Sequence, residues 1–220
     1  MTQLTEIKLL VIKDIRLEFK QKYAINGILL YIVSTIFLCS LAFGGIIEPL
    51  TWNALFWVIL LFAAVNAISK SFIQESPGRH YYYYTMASAQ SVILAKMVYN
   101  MLLMMLLSVL FIIIFNLFLG NFVHNHLLFY TCILLGGTGF ASLFTMVSAI
   151  ASRTNNNFAL MAVLGFPIIL PLLVLLIKIS KQALEMNSGA AVWPGLLALT
   201  GLNIIIIILS GLLFPYLWRD

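Results

Sequence analysis

The chain has 220 residues, of which 63% are hydrophobic and 9% charged, and its mean hydropathy is +1.07. Soluble domains run near about 45–50% apolar and about 25% charged, so this chain cannot hide its apolar surface from water and must take the bilayer as its solvent. The formal net charge of +5 is therefore a matter of membrane topology, and no nucleic-acid partner is expected.

At the start of the chain, Leu4, Ile7, Val11, Ile15 and Phe19 recur at helical spacing, with Glu6, Lys13, Arg16 and Lys20 on the other side. This pattern predicts an amphipathic helix over residues 1–23, lying along the membrane surface. A soluble regulatory helix is the alternative. Glu6, Asp14 and Glu18 interrupt the basic residues, and no small-residue cleavage site follows a short apolar core, so the segment does not read as a cleavable signal.

Six apolar runs follow: Ala24–Ile47, Trp52–Ser69, Ser91–Leu119, Leu127–Ala151, Phe158–Ile179 and Gly195–Leu217. Each is long enough to cross a hydrocarbon core of about 30 Å as a helix. They are continuous rather than alternating, which favours helices over a barrel. The expected fold is an all-α integral membrane protein, six transmembrane helices preceded by an interfacial helix. Nothing repeats at a solenoid period and no Pro- or Ser-rich linker divides residues 1–220, so a single domain is expected.

Basic residues set the orientation. Lys8, Lys13, Arg16, Lys20 and Lys22 precede the first span, Lys70 and Arg79 lie in the second loop, Arg153 in the fourth and Arg219 at the C-terminus. Only Lys178 and Lys181 fall on the opposite face, beside Glu185. The positive-inside rule places both termini and loops two and four in the cytoplasm.

The second loop contains "ESPGRHYYYY", Glu75 to Tyr84. A Pro77-Gly78 turn, Arg79, His80 and four tyrosines, Tyr81, Tyr82, Tyr83 and Tyr84, stand between two apolar spans. Tyrosine joins a large apolar area to a hydroxyl and suits both protein interfaces and membrane belts. Further along, Gly137, Gly139, Ala141, Thr145, Ser148 and Ser152 give the fourth span a small-residue stripe that admits close helix approach. In the fifth span Pro167 and Pro171, four apart, each remove a backbone donor and predict a bend, static or hinged. Lys96, one turn into the third span, is expected to snorkel to the headgroups.

Several chemistries find no support. The chain has no HExxH, no GxSxG and no paired carboxylates, and no Asp or Glu lies within a span interior. It lacks the GxxxxGK[ST] phosphate loop, so any energy from ATP must come through a partner. Cys39 and Cys132 both fall inside spans without CxxC spacing and read as small buried hydrophobes. His124 and His126, two apart in a short loop, are weak candidates for a metal or haem ligand, with no third ligand nearby.

Three stretches carry a family resemblance. They are "FIQESPGRHYYYYTMASAQSVILAKMVYN" (Phe72–Asn100), "LLGGTGFASLFTMVSAIASRTNNN" (Leu134–Asn157) and "FPIILPLLV" (Phe166–Val174). Together with the amphipathic N-terminal helix and six spans, they resemble ABC-2-type transporter permeases, and most closely the CcmB family of haem exporter permeases in cytochrome c maturation. Ala87 departs from the proline often found there in that family, and "HYYYY" replaces a more Leu- and Glu-rich helix. The resemblance implies a non-enzymatic permease of the inner membrane, acting as a homodimer with a cytoplasmic ABC ATPase, a haem-handling membrane subunit and a haem chaperone. ATP would bind the ATPase, haem would be a substrate of the complex, and no cofactor is expected on this chain. It also implies that Phe72, Glu75, Arg79, His80 and Tyr81–Tyr84 form the ATPase-docking loop. An ABC-2 exporter of lipid, glycan or drug and a membrane-embedded enzyme are the alternatives.

Overall fold

In hydrocarbon a backbone amide has no water to bond, so an apolar run must satisfy its polar groups within its own helix. The computed structural model of the chain follows this rule. It describes residues 3–20, 22–44, 46–69, 71–72, 88–152, 157–185 and 192–219, which hold seven helices and, among the described residues, no strand. The helices are α1 (Gln3–Lys20), α2 (Lys22–Phe43), α3 (Pro49–Ile68), α4 (Ala89–Leu119), α5 (His126–Ala151), α6 (Asn157–Leu184) and α7 (Val192–Arg219). The last six are long and apolar enough to cross a membrane.

Helix ends differ from the predicted spans by a few residues because hydropathy marks the lipid-buried stretch while capping chemistry marks the helix. α3 starts at Pro49 rather than Trp52, since a proline at the first turn brings a preset φ and needs no amide partner. Ser88 caps α4 by accepting from the Ser91 N–H at 3.2 Å, and Asn125 caps α5 by accepting from the Leu128 N–H at 3.1 Å. Gly120 ends α4 with φ +76°, a conformation that side-chain-bearing residues rarely adopt. α6 runs on to Leu184, past the predicted Ile179, and carries Lys181 beyond the apolar run.

α5 is the central helix and packs on α3, α4, α6 and α7. Around it lies an aromatic core in which Trp52, Phe56, Trp57, Phe111, Phe115, Phe129 and Phe140 are fully buried. Phe56 meets Phe111 and Phe129 edge-to-face, each with ring centroids 5.1 Å apart, the arrangement that ring quadrupoles favour. Several polar atoms in this core are paired across helices. The Trp52 indole donates to the Gly120 carbonyl at 3.0 Å, and the Trp57 indole donates to Ser180 Oγ at 2.7 Å. Ser180 also lies 2.8 Å from Asn53 Oδ1, while Asn53 Nδ2 donates to the Ile177 carbonyl at 3.0 Å. Side chains on α3 are thus stitched to α6 without help from water.

Glycines of α5 make the close approach possible. A Cβ at Gly136 would stand 2.6 Å from the Trp57 ring, and one at Gly139 would stand 2.5 Å from Asn203 Oδ1 and 3.0 Å from Leu172. At Gly137 the nearest atom, Ser108 Oγ, would be 3.4 Å away. Ala141 is fully buried on the same helix. Pro167 and Pro171 lie inside α6 on its exposed side. Outward faces are apolar: Leu38, Leu106, Ile113, Leu170, Ile205 and Leu212 are each more than two-fifths exposed, as lipid-facing positions should be.

Two glycine substitutions should therefore diverge. Gly136→Val forces Trp57 off its serine partner and should cost about 1–3 kcal/mol. Gly201→Ala, where nothing lies within 4 Å of the new methyl, should be stabilising by about 0.5–1 kcal/mol. Unfolding of the purified protein in mixed micelles, followed by tryptophan fluorescence, measures both.

Candidate functional site

At the α1 end of the bundle, α3 ends at Ile68 and the chain continues through Ser69, Ser71 and Phe72 toward the segment 73–87. This root is held by side chains from three other helices. Ser148 of α5 donates to the Ser69 carbonyl at 3.1 Å. Lys96 of α4 donates to the Ser71 carbonyl at 2.9 Å. One turn on, Asn100 Nδ2 donates to Ser71 Oγ at 3.1 Å and to Thr145 Oγ1 at 2.8 Å. Phe72 is buried with Val92, Ile93, Met97, Ala149 and Phe214, its ring 5.7 Å from that of Phe214 on α7.

Lys96 does not snorkel. Its ammonium is 3.3 Å from Asp14 Oδ2 and 5.7 Å from the centre of the Phe72 ring, and the Lys96 and Asp14 side chains are only 8% and 6% exposed. Lys13 adds a second contact to Asp14, at 3.0 Å. Sequence reasoning assigned Lys96 to the headgroups because it weighed one charge against lipid. The fold instead lays α1 across the start of α4, so that a carboxylate reaches the ammonium before lipid does.

α1 is turned accordingly. Of its predicted apolar stripe, Val11 is buried and Ile7 and Ile15 are half-buried, while Leu4 is 79% exposed; Leu9 and Ile12, outside that stripe, are 51% and 37% exposed. The acids face inward, Glu6 included, although it was expected on the outer side. Glu6 Oε2 accepts from the Ser88 N–H at 3.4 Å, and Glu18 Oε2 accepts from the Tyr99 hydroxyl at 3.0 Å. The first turns of α4 offer donors that α1's carboxylates need, and matching them outweighs burying every leucine.

Of the residues singled out from sequence, Phe72, Lys96, Thr145 and Ser148 belong to this junction. Glu75, Arg79, His80 and Tyr81–Tyr84 lie outside the described residues. Gly137, Gly139, Ala141, Pro167 and Pro171 sit along α5 and α6, away from it. His124 and His126 are exposed at the far end, where the backbone N–H groups of His124 and Asn125 donate to the Ala183 carbonyl at 3.1 and 2.9 Å and the His126 ring stacks on Tyr130. Among the described residues no three His, Cys, Asp or Glu side chains gather as a metal set. Asp14, Glu18, Ser71, Tyr99 and Asn100 were not anticipated as a group. The available signal was an aspartate interrupting α1 and a lysine one turn into a span, which together ask to be paired.

The arrangement holds α1, α4 and the end of α3 together. Lys96→Met, which leaves Asp14 with Lys13 alone and the Ser71 carbonyl without its donor, should destabilise the protein by about 1–3 kcal/mol. The double substitution D14L/K96M removes both charges at similar volume and should return stability to within about 1 kcal/mol of the parent. Mixed-micelle unfolding of the parent, single and double variants checks this order.

The sequence model of the CcmB protein family matches residues 5–217, from α1 through α7. Comparisons with curated proteins and with solved structures found no match. The match takes in both sides of the junction, Asp14 as well as Lys96, and all six membrane-length helices. The chain therefore belongs to the CcmB family of haem exporter permeases, and is a multi-pass membrane component of a haem exporter for cytochrome c maturation.

Proposed function

We propose that this chain is the permease through which a separate ATPase drives the haem exporter, and that the ATPase docks on the segment 73–87. One observation carries the proposal: the root of that segment is fixed to α4, α5 and α7 at once, through Lys96 and Asn100, Ser148, and Phe214. A loop that only joined two spans would need no such anchorage. Force delivered to it reaches most of the bundle within a few ångströms. The chain has no GxxxxGK[ST] phosphate loop, so ATP is bound and hydrolysed by the partner. In this reading the permease lies in the inner membrane as a homodimer, beside a haem-handling membrane subunit that passes haem to a chaperone. Haem is the substrate of the complex, and no resident cofactor is assigned to this chain.

Docking requires the segment to face the cytoplasm. With Cys39 and Cys132 replaced by Ala, a cysteine at His124 should label with an impermeant thiol reagent in intact cells, and one at Asn155 should be protected. The reverse pattern would put the segment out of reach of any cytoplasmic ATPase.

Aromatic and arginine anchors usually dominate interface energy. Truncating Tyr82 and Tyr83 together to Ala should cost on the order of 2–4 kcal/mol of association, weakening ATPase binding about 30- to 1000-fold. Membrane insertion should be unchanged, since no span is altered. Wild-type recovery of the ATPase in pull-downs with this variant, with normal ATP turnover, would refute docking on this segment.

A further inference from the structure

We infer that Lys96 is a positioning residue that ties α1 to the root of the segment 73–87, so that the two move together when the ATPase acts on that segment. The coupling to ATP rests on the function proposed above; the mechanical tie does not. A lysine ammonium has three protons to donate, and here its named partners come from different parts of the chain. Asp14 lies on α1, the Ser71 carbonyl on the root, and the Phe72 ring one residue further along it.

α1 touches the other root of the same segment as well. Ser88 follows residue 87 directly, and its backbone N–H donates to Glu6 Oε2 at 3.4 Å. Glu6 and Asp14 are eight positions apart, a little over two helical turns or about 12 Å along the axis. α1 therefore lies as a strut across both ends of the segment, with Leu10 packed on the cluster around Phe72. Further along α1, Glu18 reaches Tyr99, about one turn beyond Lys96 on α4.

Stability alone does not account for a charged link. A buried ion pair is often replaceable by apolar residues of similar size with little loss, and apolar contact is plentiful here. What methyl groups cannot supply is a directional bond to a backbone carbonyl and a carboxylate at once. The Ser71 carbonyl belongs to the last turn before the segment, where the Ser71 N–H bonds back to the Ile68 carbonyl at 2.9 Å. Holding that carbonyl fixes where the segment begins.

The test separates positioning from folding by comparing D14L/K96M, which keeps packing and removes the tie, with K96R, which keeps a multidentate cation. In the purified chain without any partner, hydrogen–deuterium exchange at the Ser71 and Phe72 amides should quicken at least tenfold in D14L/K96M and stay near the parent rate in K96R. In the assembled complex, D14L/K96M should retain the ATPase in pull-downs while ATP turnover and cytochrome c maturation fall about tenfold, and K96R should keep most of both. Unchanged exchange in D14L/K96M overturns the tie. Turnover that falls only in step with lost ATPase, or that is unaffected, overturns its role in coupling. If the parent chain itself recovers no ATPase, the docking proposal fails, and the exchange measurement still decides whether Lys96 holds α1 to the root.

Discussion

Helices in hydrocarbon gain little by exchanging lipid tails for one another's leucines, so the association of this bundle depends on close fit and on hydrogen bonds that lipid cannot offer. The central helix α5 shows how both are obtained. Gly136 lets the Trp57 ring lie against the α5 backbone, and the same indole then reaches Ser180 on α6. Gly139 leaves room for Asn203, whose amide donates to the Leu135 carbonyl at 2.9 Å. Small residues and polar ones are partners here, because the room left by a glycine lets a large polar side chain lie close enough to bond elsewhere across the helices.

The same constraint explains why the buried charges, Asp14 and Lys96, meet at one end of the bundle. A lysine that cannot be hydrated must be paired, and it must be paired by something the fold can bring to it. α1 meets that need without crossing the membrane, since it lies alongside the start of α4 with its carboxylates turned in. Leu4, Leu9 and Ile12 are then left on the outside with Lys8 and Arg16, a combination suited to the headgroup layer. The far end of the bundle is built differently, from indoles and a glycine-closed helix end, with its imidazoles left at the surface.

The sequence was legible where lipid alone dictates the outcome. Continuous apolar runs with few charges can only be spanning helices, and the six were located to within a few residues of their caps. It was less legible where two distant segments decide jointly. Residue 14 on its own is an interruption in an amphipathic pattern, and residue 96 on its own is a charge seeking water. Only their juxtaposition turns both into a buried pair, and no local periodicity encodes that juxtaposition. The glycine stripe shows an intermediate case: a small-residue face on the fourth span could be read directly, but that Gly136 rather than Gly137 lies against the tryptophan depends on how α3 is rotated. For the root of the segment 73–87, Phe72 was found because it borders a conspicuous polar stretch, and Asn100 because an amide inside a span must bond across helices, whereas Ser71 looks like any other residue at a span end until its hydrogen bonds are seen.

The inward carboxylates of α1 also bear on how the protein is made. Glu18 and its partner Tyr99 are separated by 81 residues of chain. At synthesis rates of about 5–20 residues per second, Tyr99 is polymerised roughly 4–16 s after Glu18. Throughout that interval α1 has been synthesised while its carboxylates lack the donors on α4, so it must wait at the membrane surface with its acids still hydrated. Docking of α1 is thus a late step of biogenesis, one that registers the arrival of the third span and closes this end of the bundle behind it.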